Sequence, residues 1–377
     1  MIKFNQPYTS GKEIIYIQDA INRGEFSGDG HYTKACSKFF FDKLKTPCFL
    51  TNSCTDALEM AAILANISAG DEVIMPSFTF VSTANAFLLR GASIKFVDSK
   101  SNSPNIDEDL IEELITLRTK AIVIVHYAGI ACNMDKVMDI ANKHNILVIE
   151  DAAHAIDSYY KNRPLGTIGH FGAFSFHATK NIIAGEGGML CVNDPNKIKR
   201  AEIVREKGTN RTSFFRGEID KYGWVDIGSS FLPSEITAAF LFAQLKSLDD
   251  IQQKRLAVWN TYYQALKEIE QFGFELPFLP EYATNNAHMF YLICPSLEYR
   301  TKLIKYLSEN KIKAVFHYQS LNQSDFYKKL ETSSPSNQLV NSDKYSDRLI
   351  RLPLFPDLTN NQVKYISNQI IHFVNKN

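Results

Sequence analysis

The sequence predicts an α/β protein in which a large domain with a mostly parallel seven-stranded sheet precedes a smaller α+β domain. The chain has 377 residues, of which 45% are hydrophobic, and this length favours two domains. Over the first two thirds of the chain, short apolar runs alternate with amphipathic helical patterns, as in a sheet covered by helices on both faces. After about residue 230 this alternation stops. We therefore place the domains at residues 1–250 and 251–377.

Seven apolar runs are the candidate strands of the first domain. Several of them are rich in Val and Ile on both faces, which is typical of a buried parallel sheet. In chain order they cover residues 48–52, 72–75, 94–98, 121–126, 147–151, 172–176 and 188–192. The helical patterns between them cover residues 55–66, 79–90, 107–117 and 135–144.

The second part of the chain begins with a long helical pattern over residues 234–268, which has no Gly or Pro and has Ser234 as its candidate N-cap. The turn-rich stretch QFGFELPFLP follows it. Shorter strands and helices come next, at 289–293, 299–310, 314–317 and 361–374. Residues 331–345 are rich in Ser and Asn and predict a surface loop.

Charge and cysteine usage exclude several classes of function. The 41 basic and 41 acidic residues give a formal net charge of zero, so no overall positive field would hold nucleic acid or an anionic membrane. The six cysteines are scattered without a CxxC pair, and we expect neither disulfides nor a bound metal. No secretory signal or membrane-spanning run is visible, so we expect a cytoplasmic protein.

An acid and a lysine each follow an apolar strand. Asp151 ends the strand in LVIEDAAH, and ligands of open α/β sheets bind beyond the carboxyl ends of strands. Asp151 alone would equally well cap the next helix. Lys180 follows the strand in GAFSFHATKN. Most lysines are simply exposed, but a nucleophilic lysine can form a Schiff base. The glycines of GEGG at 185–188 would let the backbone pass close to a ligand.

A third feature is the junction TNSCTDALEMAA at 51–62, where a strand runs directly into a helix. The free N–H groups and the dipole at such a helix start suit a phosphate, and Thr55 adds a hydroxyl. Asp56 would have to point away or cap an N–H. Pyridoxal phosphate needs an amine for its aldehyde, an acid for its pyridine nitrogen and a cradle for its phosphate, and these three features supply all of them.

With these residues in view, the sequence resembles the DegT/StrS type of pyridoxal phosphate-dependent sugar aminotransferases, which have the type I (aspartate aminotransferase-like) fold. The resemblance covers nearly the whole chain. The segments that carry it are GDEVIMPSFTFVSTANA (70–86), VHYAG (125–129), VIEDAAH (148–154), GTIGHFGAFSFHATKN (166–181), GEGG (185–188), REKGTNR (205–211), FFRG (214–217), DIGSSF (226–231), NAHMFY (286–291) and AVFHY (314–318).

The resemblance implies a role for several residues of the cofactor site. Lys180 would bond to the cofactor aldehyde and act as the catalytic base and acid, and Asp151 would pair with the pyridine nitrogen. An aromatic ring, Phe80, and His154 would lie against the cofactor ring, although Phe80 could equally be a core aromatic. The cofactor phosphate would be held by Cys54, Thr55 and Ser175.

Two positions depart from the usual family pattern. The family commonly has Gly-Thr at the phosphate helix, where this chain has Cys54-Thr55. The family also commonly has a G-x-N-x-R segment, where this chain has Ser230 in place of Asn and Leu232 in place of Arg. Ser230 could still donate a hydrogen bond to the cofactor phosphate of a partner subunit, because the resemblance implies a homodimer with shared active sites.

The sugar nucleotide that the resemblance implies is anionic, so local cations must hold it. The segment RTSFFRGEIDKYGW at 211–224 interleaves basic and aromatic residues that could bind a diphosphate and stack on a base, although it could also be an ordinary surface loop. A second candidate is the pair in VFHY. The candidate substrate residues are therefore Arg211, Arg216, Lys221, Tyr222, His317 and Tyr318.

The implied reaction moves an amino group from L-glutamate to C4 of a dTDP-4-keto-6-deoxyhexose. The closest subgroup makes dTDP-4-amino-4,6-dideoxygalactose for enterobacterial common antigen, and O-antigen or lipopolysaccharide sugars are related products. The glucose-configured 4-amino sugar, a 3-amino sugar and a UDP-linked pentose remain alternatives.

A sugar dehydratase would have histidine in place of Lys180. A non-catalytic binding protein would not need Lys180, Asp151 and Thr55, which this chain has. A cofactor-free nucleotide-binding protein would need a glycine-rich loop after the first strand, and the segment TNSCTDA has no glycine.

Overall fold

A computed structural model describes residues 1–330 and 339–376 of the chain. The strands are β1 (Cys48–Thr51), β2 (Glu72–Pro76), β3 (Ser93–Val97), β4 (Thr119–Val125), β5 (Leu147–Asp151), β6 (Tyr159–Tyr160), β7 (Arg163–Pro164), β8 (Phe171–Ser175), β9 (Gly188–Val192), β10 (Phe290–Ile293), β11 (Val315–Phe316) and β12 (Leu349–Leu352). The helices are α1 (Glu13–Arg23), α2 (His31–Leu44), α3 (Cys54–Leu64), α4 (Val81–Leu88), α5 (Met134–His144), α6 (Ile198–Arg205), α7 (Arg211–Phe215), α8 (Glu235–Leu245), α9 (Leu248–Leu266), α10 (Leu297–Glu309), α11 (Asp325–Leu330), α12 (Val340–Arg348) and α13 (Asn360–Lys376). Within the described residues, no helix is both long and apolar enough to cross a membrane.

The large sheet contains all seven predicted strands, in the order β1-β9-β8-β5-β4-β2-β3. Five neighbouring strands from β8 to β3 are parallel, and β9 runs antiparallel to both of its neighbours. The predicted mostly parallel sheet is thus confirmed. The strands β1, β5 and β8 run in the same direction, so their carboxyl ends lie at the same edge of the sheet.

Apolar side chains cover the large sheet on both faces. Along β4, Ile122 and Ile124 join one buried cluster, while Ala121 and Val123 join another. Successive side chains of a strand point to opposite faces, which explains why these strands read as continuous apolar runs. Helices pack on both sides, with α8 against α1 and α2, and α3 against β8 and β9.

The C-terminal region has its own apolar cluster around a three-stranded antiparallel sheet of order β10-β12-β11. Side chains of α9, α10 and α13 cover one face of this sheet, including Trp259, Leu303 and Ile366. On the other face, Tyr291 and Leu349 pack with Phe78 and Tyr127 of the preceding region. The second sheet therefore faces the first region, and the division at residue 250 stays a prediction.

Two predicted helices were wrong, and a predicted loop was wrong in part. Residues 107–117 form two short 3₁₀ turns, Glu108–Leu110 and Glu112–Leu114, and not a helix. Acidic residues three and four apart, such as Glu108 and Glu112, repel each other along a continuous helix. Glu108 is also needed elsewhere, because it pairs with Lys100 at 2.5 Å and accepts a hydrogen bond from the Asn133 N–H.

The predicted helix over residues 234–268 is divided at Lys246 and Ser247 into α8 and α9. Ser247 has non-helical angles (φ −112°, ψ 8°), and the acidic first turn of α9 marks a new helix start. The prediction of Ser234 as the N-cap is confirmed, since its hydroxyl accepts the Thr237 N–H. Of the predicted loop at 331–345, residues 331–338 lie outside the described residues, and residues from Val340 onwards form α12.

Candidate active site

A cavity of about 790 Å³ opens at the sheet edge where β1, β5 and β8 end. Side chains of both regions of the chain line it. Nine of the residues that the sequence analysis proposed are among them, namely Cys54, Thr55, Phe80, Asp151, His154, Ser175, Lys180, His317 and Tyr318. The structure therefore brings together residues that are up to 264 positions apart in the sequence, from Cys54 to Tyr318.

Lys180 lies in the tight return between β8 and β9. The backbone of this return is fixed by hydrogen bonds from the Lys180 N–H to the His177 carbonyl (2.9 Å) and from the Ala178 N–H to the Gly185 carbonyl (2.9 Å). Burial of the amine lowers the pKa of Lys180 to about 8, against opposing contributions from Cys54 and Asp151. A lysine with this pKa has a substantial neutral fraction near neutral pH and can act as a nucleophile or a base.

Asp151 lies at the end of β5 and is almost fully buried. The Thr83 hydroxyl donates to its Oδ2 at 2.7 Å and the Ala153 N–H donates to its Oδ1 at 3.1 Å. Burial raises the pKa of this carboxyl, while the two hydrogen bonds and the charge of Lys180 oppose that rise. A buried carboxylate without an ion-pair partner favours a cationic ligand group.

The start of α3 forms an anion cradle at the same edge. The Ser53 hydroxyl accepts the Asp56 N–H at 3.0 Å and donates to the Asp56 carboxylate at 3.1 Å, so Asp56 is turned into the cap as expected. The N–H groups of Cys54 and Thr55 are in the first turn, where no intrahelical acceptor exists. The Thr55 hydroxyl donates to Ser82 at 2.8 Å.

Strand β9 passes close beneath this cradle. A Cβ on Gly188 would lie 2.2 Å from the carbonyl carbon of Ser53 and 2.4 Å from the Cys54 nitrogen. Only a residue without a side chain allows this approach. The close approach at Gly188 is to the backbone of α3, and the predicted close approach of the GEGG segment to a ligand stays a prediction.

Aromatic rings and histidines line the rest of the cavity. The Phe80 side chain is 54% exposed and lies 5.9 Å from the ring of Tyr318, so Phe80 is not the core aromatic that the sequence left open. The core position is taken by Phe78, which is 1% exposed. The His154 ring stacks on His288 at 4.3 Å.

Burial lowers the pKa of His154, His288 and His317, so these rings are neutral at physiological pH. The Nε2 of His154 is 3.4 Å from the Tyr318 hydroxyl, and its Nδ1 accepts the Ala128 N–H at 3.3 Å. The Tyr127 hydroxyl and the His317 Nδ1 are 2.6 Å apart. This wall therefore offers flat, uncharged surfaces beside Lys180 and Asp151.

These residues fit pyridoxal phosphate. Lys180 supplies the amine, Asp151 supplies a buried carboxylate for the protonated pyridine nitrogen, and the first turn of α3 supplies free N–H groups for the phosphate. Together with the seven-stranded sheet, this site defines a pyridoxal phosphate-dependent enzyme.

The chain belongs to the DegT/DnrJ/EryC1/StrS aminotransferase family, whose sequence profile matches residues 7–371. It is therefore a transaminase. The chain is 34% identical over 369 residues to the spore coat polysaccharide biosynthesis protein SpsC of Bacillus subtilis, covering 96% of this chain and 94% of SpsC.

Solved structures of the family share the fold over the whole chain. The PLP form of the putative sugar aminotransferase Spr1654 from Streptococcus pneumoniae superposes with a TM-score of 0.90 at 26% identity, covering 100% of this chain and 99% of that one. PseC from Helicobacter pylori, an aminotransferase involved in the biosynthesis of pseudoaminic acid, gives a TM-score of 0.88 at 25% identity, and both chains are covered completely.

Five proposed site residues do not line this cavity: Arg211, Arg216, Lys221, Tyr222 and Ser230. All five are exposed and lie in or next to the segment from α7 to α8. Arg216 is held by the carboxylates of Glu202 and Glu218 at 2.8 and 2.7 Å. The backbone carbonyl of Ser230 accepts a hydrogen bond from Asn52 at 3.0 Å.

Several residues that line the cavity were not predicted from the sequence. Ser53 and Thr83 were within quoted motifs, and an N-cap serine followed three residues later by an acid is a recognisable signal for Ser53. His288 was in the quoted segment NAHMFY. Arg351 had no motif around it, because it stands alone in the apolar run LIRLPLFP.

Proposed function

We propose that this enzyme transfers the amino group of L-glutamate to C4 of a dTDP-4-keto-6-deoxyhexose in the cytoplasm. The products would be dTDP-4-amino-4,6-dideoxygalactose and 2-oxoglutarate. The observation that carries the chemistry is the amine of Lys180, whose pKa of about 8 arises in a cavity shared with the carboxylate of Asp151. The choice of sugar is supported by the resemblance of the segments quoted above, and the amino sugar would enter a glycan such as enterobacterial common antigen or O-antigen.

Several side chains would bind the cofactor, and Lys180 would transfer the protons. When bound, pyridoxal phosphate supplies an electron-accepting ring. Cys54, Thr55 and Ser175 would hold its phosphate, Phe80 and His154 would flank its ring, and Asp151 would keep its pyridine nitrogen protonated. Thr83 and Ala153 orient the Asp151 carboxylate through their hydrogen bonds.

Lys180 would move the protons in both halves of the reaction. Its neutral amine would accept the proton from the α-carbon of glutamate. It would return that proton to the aldehyde carbon of the cofactor, and in the second half it would take a proton from that carbon and donate it to C4 of the sugar.

We further propose a homodimer in which each subunit completes the site of the other. Arg211, Lys221 and Tyr222 would then contact the sugar nucleotide in the partner's cavity, and Ser230 would donate to the partner's cofactor phosphate. Their exposure on this chain, away from its own cavity, supports this arrangement. Arg216 is a weaker candidate than Arg211, because two carboxylates already hold its guanidinium.

The test begins with the visible absorbance of the purified protein after addition of pyridoxal phosphate. We expect an absorbance band that L-glutamate removes and that dTDP-4-keto-6-deoxyglucose then restores. Proton coupling between H3 and H4 of the product would distinguish the galactose from the glucose configuration, and the position of the nitrogen would distinguish a 4-amino from a 3-amino sugar.

The control is Lys180→Ala, for which we expect no such band and no turnover in a folded protein. Turnover of Lys180→Ala at a rate near that of the wild type would overturn the proposal. A wild-type band that L-glutamate leaves unchanged would instead show that the donor or the reaction class is different.

A further inference from the structure

The guanidinium of Arg351 is a cation in the cavity that the reaction described above does not use. Arg351 is in β12, the central strand of the second sheet, where it lies opposite Tyr291 of β10 and Val315 of β11. Directly opposite residues of antiparallel strands project to the same face. That face is the one that meets the first region of the chain through Tyr291, and Arg351 is among the residues that line the cavity.

Arg351 is half-buried, and the buried part of its guanidinium lacks a protein partner. Its Nε is buried and has no hydrogen-bond partner, and no carboxylate of residues 1–330 or 339–376 forms an ion pair with it. The ring of Phe4 covers one face of the guanidinium at 4.8 Å. Its charge is felt by Tyr127 and Tyr318, neither of which is an anion at neutral pH.

Arg255, a fully buried arginine of the same cavity, shows the contrast. Arg255 donates from Nε to the Ala287 carbonyl at 3.1 Å and from Nη2 to the His288 carbonyl at 2.7 Å. Arg255 is therefore fixed by the protein itself. The buried Nε of Arg351 has no such acceptor, which is costly unless a ligand supplies one. A carboxylate matches the fork of N–H donors of a guanidinium.

The position of Arg351 distinguishes between the two anions that the proposed reaction would bring into the cavity. Arg351 is close enough to Lys180 for its charge to help lower the pKa of that amine. The α-carboxylate of an amino acid is two bonds from the nitrogen that reacts beside Lys180. The diphosphate of a sugar nucleotide is attached to C1, several bonds away from the reacting C4.

We propose that Arg351 binds the α-carboxylate of the amino donor and of the 2-oxo acid product. This assignment rests on the proposed function, because it requires an amino acid donor. It explains why an unpaired guanidinium is kept in the cavity between Phe4 and the histidine wall. It also makes Arg351 the residue that selects α-amino acids over simple amines in the first half of the reaction.

The experiment measures binding of 2-oxoglutarate and, separately, of dTDP to the holoenzyme by calorimetry. For Arg351→Met we expect the Kd of 2-oxoglutarate to rise by about 10- to 100-fold, since a charge-assisted pair is lost. The Kd of dTDP should change by less than about 2-fold, and Arg351→Lys should be intermediate for 2-oxoglutarate. Arg118→Met is the matched control, because Arg118 is 68% exposed and pairs with Glu72 away from the cavity.

A second measurement follows the loss of the visible band with L-glutamate and with 4-aminobutyrate, which has no α-carboxylate. Arg351→Met should slow the first reaction and leave the second unchanged. Weaker binding of dTDP alone, equal weakening of both ligands, or 2-oxoglutarate binding equal to that of the wild type would each overturn the assignment. A wild type that binds 2-oxoglutarate through Arg351 but aminates no sugar would overturn the proposed function and leave Arg351 in its role.

Discussion

Burial acts in opposite directions on the two ionisable groups at the centre of the site. It raises the pKa of the Asp151 carboxyl and lowers the pKa of the Lys180 amine, because both charged forms lose water. Each group also stabilises the charged form of the other. The site is therefore prepared for a ligand that carries its own positive charge to Asp151 and reacts with the neutral form of Lys180.

The pKa of Lys180 predicts how the apoprotein captures its cofactor. Only the neutral amine attacks an aldehyde, so the rate at which the visible band forms after addition of pyridoxal phosphate should rise with pH and level off above about pH 8. The negative charge of Asp151 favours the protonated amine, so Asp151→Asn should move the midpoint to lower pH. Stopped-flow absorbance between about pH 6 and pH 10 would measure both midpoints. A midpoint near that of a free lysine, about 10.4, would contradict a buried amine.

At the scale of single residues, the sequence could predict the cofactor site because its members stand in short motifs beside strand ends. Asp151 ends one apolar run, Lys180 follows another, and Thr55 is in the first turn of the helix after a third. Arg351 could not be found in this way. It reaches the cavity only because β12 pairs with β10 and β11. This pairing places Arg351 opposite Tyr291 and Val315, which are 60 and 36 positions away in the sequence.

At the scale of elements, the junction of β1, α3 and β9 depends on one missing side chain. We expect Gly188→Ala to force β9 and the start of α3 apart, because its Cβ would lie 2.2 Å from a Ser53 backbone atom. The result should be a lower melting temperature and weaker binding of pyridoxal phosphate by about 10-fold or more. Thermal unfolding with and without the cofactor would measure both effects.

The matched control for this change is Gly223→Ala. A Cβ on Gly223 would meet no atom within 4 Å, and this glycine has no positive φ. We expect its stability and cofactor affinity to match those of the wild type. If Gly188→Ala also matched the wild type, the close approach of β9 to α3 would not be needed for the phosphate cradle.

The sequence predicted the seven strands of the large sheet because all but the edge strand β3 are largely buried on both faces and therefore read as apolar runs. The helices and their boundaries were harder to predict from the sequence. Residues 107–117 have a helical pattern, but their acidic residues repel one another and Glu108 is bound to Lys100 and Asn133. Between residues 234 and 268, the absence of Gly and Pro suggested one continuous helix. In the structure a new helix, α9, starts after Ser247, with Asp249 and Asp250 in its first turn. Helices α1 and α2 were not predicted, and the N-terminus of α2 is stabilised by Glu235, some 200 residues away.

At the scale of the whole molecule, the cavity is formed where the two sheets meet. Asp151 and Lys180 come from the first sheet, whereas Arg351, His317 and Tyr318 come from the second sheet or its flank. The segment from α7 to α8 remains outside, with Trp224 84% and Phe215 67% exposed. Such a cluster of exposed aromatic residues suits an interface with another subunit.

A shared site makes a quantitative prediction for mixed dimers. In a homodimer, Lys180 of one subunit would work with Arg211 and Lys221 of the other. The variant Lys180→Ala and the double variant Arg211→Ala/Lys221→Ala should each have little activity alone. Arg216 is left unchanged, because Glu202 and Glu218 already hold it and its loss would disturb the segment.

A mixed dimer of these two variants has one site with every required residue and one site that lacks all three. Co-expression with two different affinity tags and purification on both would yield mixed dimers only, and we expect them to have about half of the wild-type activity, because one site of two is intact. Mixed dimers as inactive as the single variants would mean that each chain completes its own site. An active Arg211→Ala/Lys221→Ala homodimer would remove these two residues from substrate binding altogether, and the sugar nucleotide would then have to be held by residues of the cavity itself.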